Sequence, residues 1–200
     1  MKKIVIAGGR GFLGRCLIRH YSKRVNEIVI LTRNPKPSQL GERQVFWDGK
    51  NPGKWVEELK GADLLINLAG KSVDCRYTER NKKAIFDSRT DSTAALENAI
   101  SSLKNPPKLW LNSSSATYYR HSLDQPMDEK TGEAGTGFSV EVCKKWEATF
   151  NRFNLPKTRK VIMRTAMVLG NDGGAFPMFS RLTRLGLGGR MGGGLSLIHI

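Results

Sequence analysis

Three glycines near the start of the chain, Gly8, Gly11 and Gly14, stand at the spacing G-x-x-G-x-x-G in the run Gly8-Gly9-Arg10-Gly11-Phe12-Leu13-Gly14. An apolar run precedes them and a stretch of helical periodicity follows. In that setting the first glycine lets the chain turn and the second lets backbone approach a phosphate. The third lets helix pack closely on strand, while the helix points its first N–H groups at the anion. The chemistry this spacing supports is the binding of a dinucleotide pyrophosphate. The second informative pair is Thr32-Arg33, at the end of the next apolar run. NAD-binding folds place a carboxylate there to hold the ribose hydroxyls. Here no carboxylate repels a 2′-phosphate, Arg33 offers a planar cation to bind one, and Arg10 can approach from the glycine loop. The pattern predicts NADP(H) in preference to NAD(H).

The elements that must position these residues alternate. Strands are predicted at 3–7, 27–32, 44–47, 62–69, 108–114 and 159–164, with 168–170 closing the last segment. Helices are predicted at 11–23, 55–60, 78–103 and 139–150, with Ser88 as the place where the long one could break. Pro106-Pro107 ends that helix, because proline cannot continue it. The strands are near-continuous apolar runs of the kind a parallel sheet needs. Strand–helix alternation predicts an α/β fold, a Rossmann-type doubly wound parallel sheet with right-handed crossovers. Ligands of such sheets sit outside the carboxyl ends of the strands. This places Gly8–Gly11, Thr32-Arg33, Asp48, Leu68-Ala69-Gly70, Ser113–Ser115 and Val168-Leu169 along one edge.

Composition fits an ordinary globular chain: 39% hydrophobic and 26% charged over 200 residues. The net charge is +15, from 33 Lys+Arg against 18 Asp+Glu, which favours anionic ligands. The basic residues are dispersed, no nucleic-acid module is present, and aromatics do not interleave with charges, so a nucleic-acid partner is not expected. No apolar run reaches the ~20 residues that span a bilayer. The apolar stretch after Lys2-Lys3 is too short for a signal peptide. Cys16, Cys75 and Cys143 form no Cys-x-x-Cys pair and suggest neither zinc nor a disulfide framework. The expected setting is cytoplasmic, without a membrane partner.

These residues resemble the short-chain dehydrogenase/reductase superfamily, and within it the atypical epimerase-family branch of nucleoside-diphosphate-sugar epimerase-like or cell-division-inhibitor-like proteins. The motifs that carry the resemblance are GGRGFLG (8–14), LTR (31–33), WDG (47–49), INLAGKSV (66–73), DSRT (87–90), SSSATYY (113–119), CKKWEA (143–148), RTAMVLGNDGGAF (164–176) and GLGGRMGGG (186–194). The resemblance implies an NADP-binding Rossmann domain over 1–170, followed from 171 by the start of a smaller substrate-binding region. It implies that Gly8, Arg10, Gly11, Phe12 and Leu13 line the pyrophosphate, and that Thr32 and Arg33 hold the adenosine phosphate. Trp47 and Asp48 would lie near the adenine, and Leu68, Ala69 and Gly70 beneath the cofactor. Arg89 would reach it from the long helix and Val168 from near the last strand.

The pattern departs from the superfamily at its chemistry. Hydride transfer there uses a Tyr-x-x-x-Lys pair, in which the lysine helps the phenol exchange a proton with the substrate oxygen. Ser115 matches the serine that orients this oxygen. Anchored on Trp146-Glu147, the tyrosine and lysine positions become Ser139 and Cys143, and neither does that work. Lys144 and Lys145 are off by one and two residues, about 100–200° round a helix. Tyr118, or a bound water, remains as proton donor, and a structural role for Tyr118 and Tyr119 is equally open. His20, His121 and His199 sit in no hydrolytic arrangement. Two functions follow. One is an oxidoreductase or epimerase-like enzyme on a small, nucleotide-linked substrate. The other is an inactive NADP-binding regulatory or sensor protein of the same fold. A homodimer is left open.

The resemblance also implies a C-terminally truncated member. Leu195 to Ile200 matches in part the Trp-Ile-His-Ile-Asp of such proteins, and is equally the translation of a common transposon-derived sequencing adaptor. Without the substrate region, modest stability or self-association is expected.

Overall fold

The protein is described by a computed structural model over residues 1–38 and 40–189. The glycine run beyond residue 189 and the six residues from Leu195 lie outside the described residues. Six strands, β1 (Lys3–Ala7), β2 (Glu27–Thr32), β3 (Arg43–Phe46), β4 (Leu64–Asn67), β5 (Leu109–Ser115) and β6 (Arg159–Thr165), form one sheet in the order β3-β2-β1-β4-β5-β6. The pairs β1–β2, β1–β4, β2–β3 and β4–β5 are parallel. The helices are α1 (Phe12–Tyr21), α2 (Val56–Leu59), α3 (Glu79–Ser102) and α4 (Phe138–Asn151). A two-residue hairpin, β7 (Leu169–Gly170) and β8 (Gly173–Gly174), precedes α5 (Phe176–Arg184). This is the Rossmann-type doubly wound α/β fold, whose strand order reverses beside β1.

The strands form because their side chains are apolar on both faces, and period-two alternation divides them between two layers. Val5, Val29, Leu31 and Leu65 pack on one side with Leu96, Ile100 and Phe150. Ile4, Ile6, Ile28, Ile30 and Ile66 pack on the other with Ile18 of α1. Leu96 and Ile100 are fully or almost fully buried, so α3 is a core helix of the first layer.

The long helix is unbroken at Ser88. The Ser88 hydroxyl donates to the Ile85 carbonyl at 3.2 Å and accepts from the Lys71 N–H at 2.8 Å, so the side chain is satisfied without disturbing the helix. Thr78 caps its start, accepting from the Asn81 N–H at 3.3 Å. No helix is predicted where α5 forms; Pro177 sits in its first turn, where the missing N–H costs nothing.

The chain divides into two compact units, residues 1–113 with 145–163, and residues 114–144 with 164 onward. In the first lie the two apolar layers just described. In the second, Tyr119 bridges Ala134 antiparallel, Gly135 N donates to Tyr118 O at 2.8 Å and Arg120 N to Glu133 O at 3.0 Å. No described helix is long and apolar enough to cross a membrane.

Candidate functional site

The glycine turn is built by backbone contact. Gly8 has φ +74°, and a Cβ there would lie 2.8 Å from both Cα and N of Ala69. The ends of β1 and β4 thus touch at a point only glycine can occupy. A Cβ on Gly14 would lie 1.9 Å from the Gly9 carbonyl oxygen, which fixes how closely α1 approaches the turn. A Cβ on Gly11 would meet nothing within 4 Å. That open space lies at the N-terminus of α1, which has no side-chain cap and no acidic residue in its first turn. Such a terminus presents its N–H groups and the positive end of its dipole to an anion.

Beside this turn, at the reversal of strand order, lies a cleft of about 590 Å³. Gly8, Arg10, Thr32, Arg33, Asp48, Leu68, Ala69 and Gly70 all line it. The loop after β4 is pinned from behind. Asn67 Oδ1 accepts from Ala69 N at 3.0 Å, while Asn67 Nδ2 donates to Asn112 Oδ1 at 2.7 Å and to Thr93 Oγ1 at 3.2 Å. Trp146 Nε1 donates to the same Thr93 oxygen at 2.9 Å. Asn67, Thr93 and Asn112 are at most 1% exposed, so the bonds among them and from Trp146 are made out of water. Arg89 donates to the carbonyls of Lys71 at 3.1 Å and Ile85 at 3.0 Å, and its Cζ would lie 3.3 Å from a Cβ on Gly70.

The charges of the cleft are unevenly matched. Asp48 accepts from the N–H groups of Asn51 at 2.8 Å and Lys50 at 2.9 Å and from Asn51 Nδ2 at 2.6 Å, and these bonds hold its carboxyl below the usual range. Asp87 pairs with Lys83 at 2.7 Å and Asp91 with Lys50 at 3.2 Å. Arg10 donates to the Asn34 carbonyl at 2.6 Å. Among the described residues no carboxylate pairs with Arg10 or Arg33, so positive charge is left for a ligand. Trp47, 2% exposed and packed 5.3 Å from Trp55, also lines the cleft and keeps an indole N–H without a hydrogen-bond partner. Open backbone at Gly11, unpaired cations and an unpaired buried donor together fit a phosphorylated dinucleotide.

Other expected residues stand elsewhere. Gly11, Phe12 and Leu13 open α1 and are not among those lining the cleft. Arg89 braces the Gly70 loop from α3. Ser115, Tyr118 and Val168 belong to the second unit. There Ser115 caps a single 3-10 turn, Ala116–Tyr118, its hydroxyl accepting from Thr117 N at 3.2 Å and Thr117 Oγ1 at 2.9 Å. The Arg164 guanidinium lies 3.7 Å above the Tyr118 ring and donates to Tyr119 Oη at 2.9 Å. Cys143 is 3% exposed, with Sγ 3.7 Å from Thr117 Oγ1.

Sequence reasoning missed the α3 wall of the cleft: Ala84, Asp87, Ser88 and Asp91. Their spacing of i, i+3, i+4 and i+7 marks one helix face, a signal present in the sequence but masked by its mixed polarity.

Residues 4–139 match the model of the NAD dependent epimerase/dehydratase family. Epimerase family protein SSP1921 of Staphylococcus saprophyticus subsp. saprophyticus is 36% identical over 204 residues, covering 100% of this chain and 67% of that protein. A crystal structure of human epimerase family protein SDR39U1 (isoform 2) with NADPH superposes with TM-score 0.81 at 32% identity, over 96% of this chain and 63% of that one. The nucleoside-diphosphate sugar epimerase of Corynebacterium glutamicum superposes with TM-score 0.75 at 30% identity, over 96% of this chain and 39% of that one. This chain therefore spans about two thirds or less of the length of these relatives. Fold, glycine turn and sequence agree: the chain belongs to the NAD dependent epimerase/dehydratase family, in the epimerase-like branch of the short-chain dehydrogenase/reductases.

Proposed function

We propose that the cleft binds NADP(H) and that the protein acts as an oxidoreductase or epimerase-like enzyme on a small, nucleotide-linked substrate. The observation that carries the cofactor is Arg10 and Arg33 lining a cleft whose second strand ends without a carboxylate. Gly8, Arg10, Gly11, Phe12 and Leu13 hold the pyrophosphate in this reading, and Thr32 and Arg33 the adenosine phosphate. Asp48 borders the adenine, Leu68, Ala69 and Gly70 form the floor, and Arg89 and Val168 complete the site. Bound NADP(H) supplies a hydride donor or acceptor. Ser115 orients the substrate oxygen and Tyr118 exchanges its proton. Residues 1–170 form the cofactor domain and 171–200 the start of the substrate region. The NADPH of the human relative and the sugar-nucleotide name of the corynebacterial one support the reading.

Fluorescence titration with NADPH and NADH tests it. NADPH is expected to bind at least about tenfold tighter, since one charge-assisted phosphate contact contributes on the order of 1.5–3 kcal/mol. Tighter binding of NADH would overturn the assignment. The second reading, a catalytically inactive cofactor-binding regulatory protein, is favoured by one observation: Ser139 and Cys143 stand where tyrosine and lysine would, and Cys143 is buried. Turnover of bound NADPH across a panel of carbonyl compounds separates the two.

A further inference from the structure

We propose that the outer face of α5 docks on the same face of a second copy of this chain, with the two α5 helices antiparallel about a twofold axis at Leu182. The proposal is independent of the cofactor reading and gives a homodimer of this chain a defined surface.

The face is apolar and uncovered. Met178 and Leu182 of α5 and Leu185 at its C-terminal cap stand at i, i+4 and i+7, the spacing of one helical stripe. Arg181 falls at the margin of that stripe and Arg184 beyond it. None of the nine residues of α5 is buried: Phe179 and Ser180 are half-buried and the others exposed. Phe176 at the start of the helix and Leu187 just after it are exposed too, as is Leu169 of β7, which packs beside α5. The other exposed large apolar side chains among the described residues are scattered from Met1 to Phe153. Scattered ones are ordinary, whereas a contiguous patch marks a contact surface. A helix this short is marginal in water and is normally stabilised by burying its apolar face, which α5 has yet to do.

Area and register select the occupant. The six side chains named are 38–70% exposed, together the equivalent of about three whole ones. At on the order of 150 Å² each, the patch offers about 500 Å² per copy and about 1,000 Å² in a pair. That exceeds the ~800 Å² of most lattice contacts and reaches the small end of specific association, where micromolar affinity is expected. Antiparallel pairing about Leu182 sets Leu182 against its own counterpart and Met178 against the counterpart of Leu185. The stripe is therefore its own complement, as a twofold interface requires. Between Gly173 and Gly189 stand two cations and no carboxylate, so two copies cannot be joined here by ion pairs. Chains of net charge +15 repel one another, and salt strengthens an apolar pairing between them by screening.

Sedimentation equilibrium of the 200-residue chain, from about 1 to about 100 μM, tests it. A reversible monomer–dimer equilibrium is expected, with Kd on the order of 10 μM. It should be tighter in about 0.5 M than in about 0.05 M sodium chloride. Met178→Gln combined with Leu182→Gln should weaken it at least about tenfold. Leu123→Gln, at another exposed apolar position, should leave it unchanged. Circular dichroism separates loss of contact from loss of fold, and cross-linking decides the matter if the double variant unfolds. Leu182→Cys should form an intermolecular disulfide on mild oxidation, beyond the background from Cys16, Cys75 and Cys143, and Arg184→Cys should not. A parent chain that stays monomeric over this range overturns the proposal. So does an equilibrium that the folded double variant leaves intact or that salt weakens, or cross-linking no faster at Leu182→Cys than at Arg184→Cys. A chain that is monomeric alone but sediments with phosphatidylglycerol vesicles assigns the face to an anionic membrane surface, and overturns it as well.

Discussion

Thr93 and Glu97 face the sheet one turn apart on α3, yet they anchor two buried clusters of opposite kinds. Around Thr93 the groups are neutral: Asn67, Asn112 and the Trp146 indole share bonds of 2.7–3.2 Å, and the chain of bonds ends on the Ala69 N–H in the cleft. Around Glu97 they are charged. Its Oε1 accepts from Phe153 N at 3.1 Å and Lys160 Nζ at 3.3 Å, whereas Oε2 has no hydrogen bond and only Arg152 Nε at 3.9 Å. Lys160 in turn donates to the Phe150 and Phe153 carbonyls. The neutral cluster fixes the floor of the cleft. The ionic one fastens the end of α4 to the start of β6. Full satisfaction makes the first specific in geometry; desolvation makes the second costly to keep.

The comparison breaks most sharply at the cleft end, where backbone and the neutral cluster act together. Gly8→Ala places a side chain in a left-handed conformation against the backbone of Ala69 and should cost about 4 kcal/mol, strain and overpacking combined. Urea unfolding and NADPH titration should show both stability and binding lost. If the variant binds NADPH normally, the touching ends of β1 and β4 do not define the site. Asn67→Ala is next. It removes three bonds, takes the acceptor from the Ala69 N–H at the floor of the cleft and leaves buried Asn112 Oδ1 with only the 3.5 Å bond from Thr93 Oγ1, for about 2 kcal/mol. NADPH affinity should fall with it, because the floor of the cleft loses its tether. A loss of stability with affinity intact would reduce the neutral cluster to packing.

Much of this was legible in the residues. Ile4–Ala7 and Glu27–Thr32 read as buried strands because both faces are apolar, and Gly8, Gly11 and Gly14 read as a phosphate turn because of what flanks them. Thr32-Arg33 gave the cationic rim. The two α3 clusters were not legible, although Arg89, Thr93 and Glu97 recur every four residues. A polar stripe on a helix ordinarily faces water. Only the sheet behind it, with Asn67 and Asn112 in register on β4 and β5, turns that stripe inward.

The smallest effect is the one that separates the clusters by pH. Burial raises the Glu97 carboxyl above its ordinary 4.5, with the Phe153 N–H and Lys160 opposing the rise. The folded protein therefore keeps this proton to higher pH than the unfolded chain does. The stability it contributes is fully present below about pH 4.5 and is lost as pH rises through the folded value. Glu97→Gln keeps the shape and carries no charge, so it should match the parent near pH 4 and gain relative stability as pH rises towards neutrality. Urea midpoints measured across that range for both proteins check the sign. A variant that instead loses ground with rising pH would show that Lys160 and Arg152 outweigh desolvation. The cost of Asn67→Ala should stay level over the same interval, because nothing in its cluster titrates there.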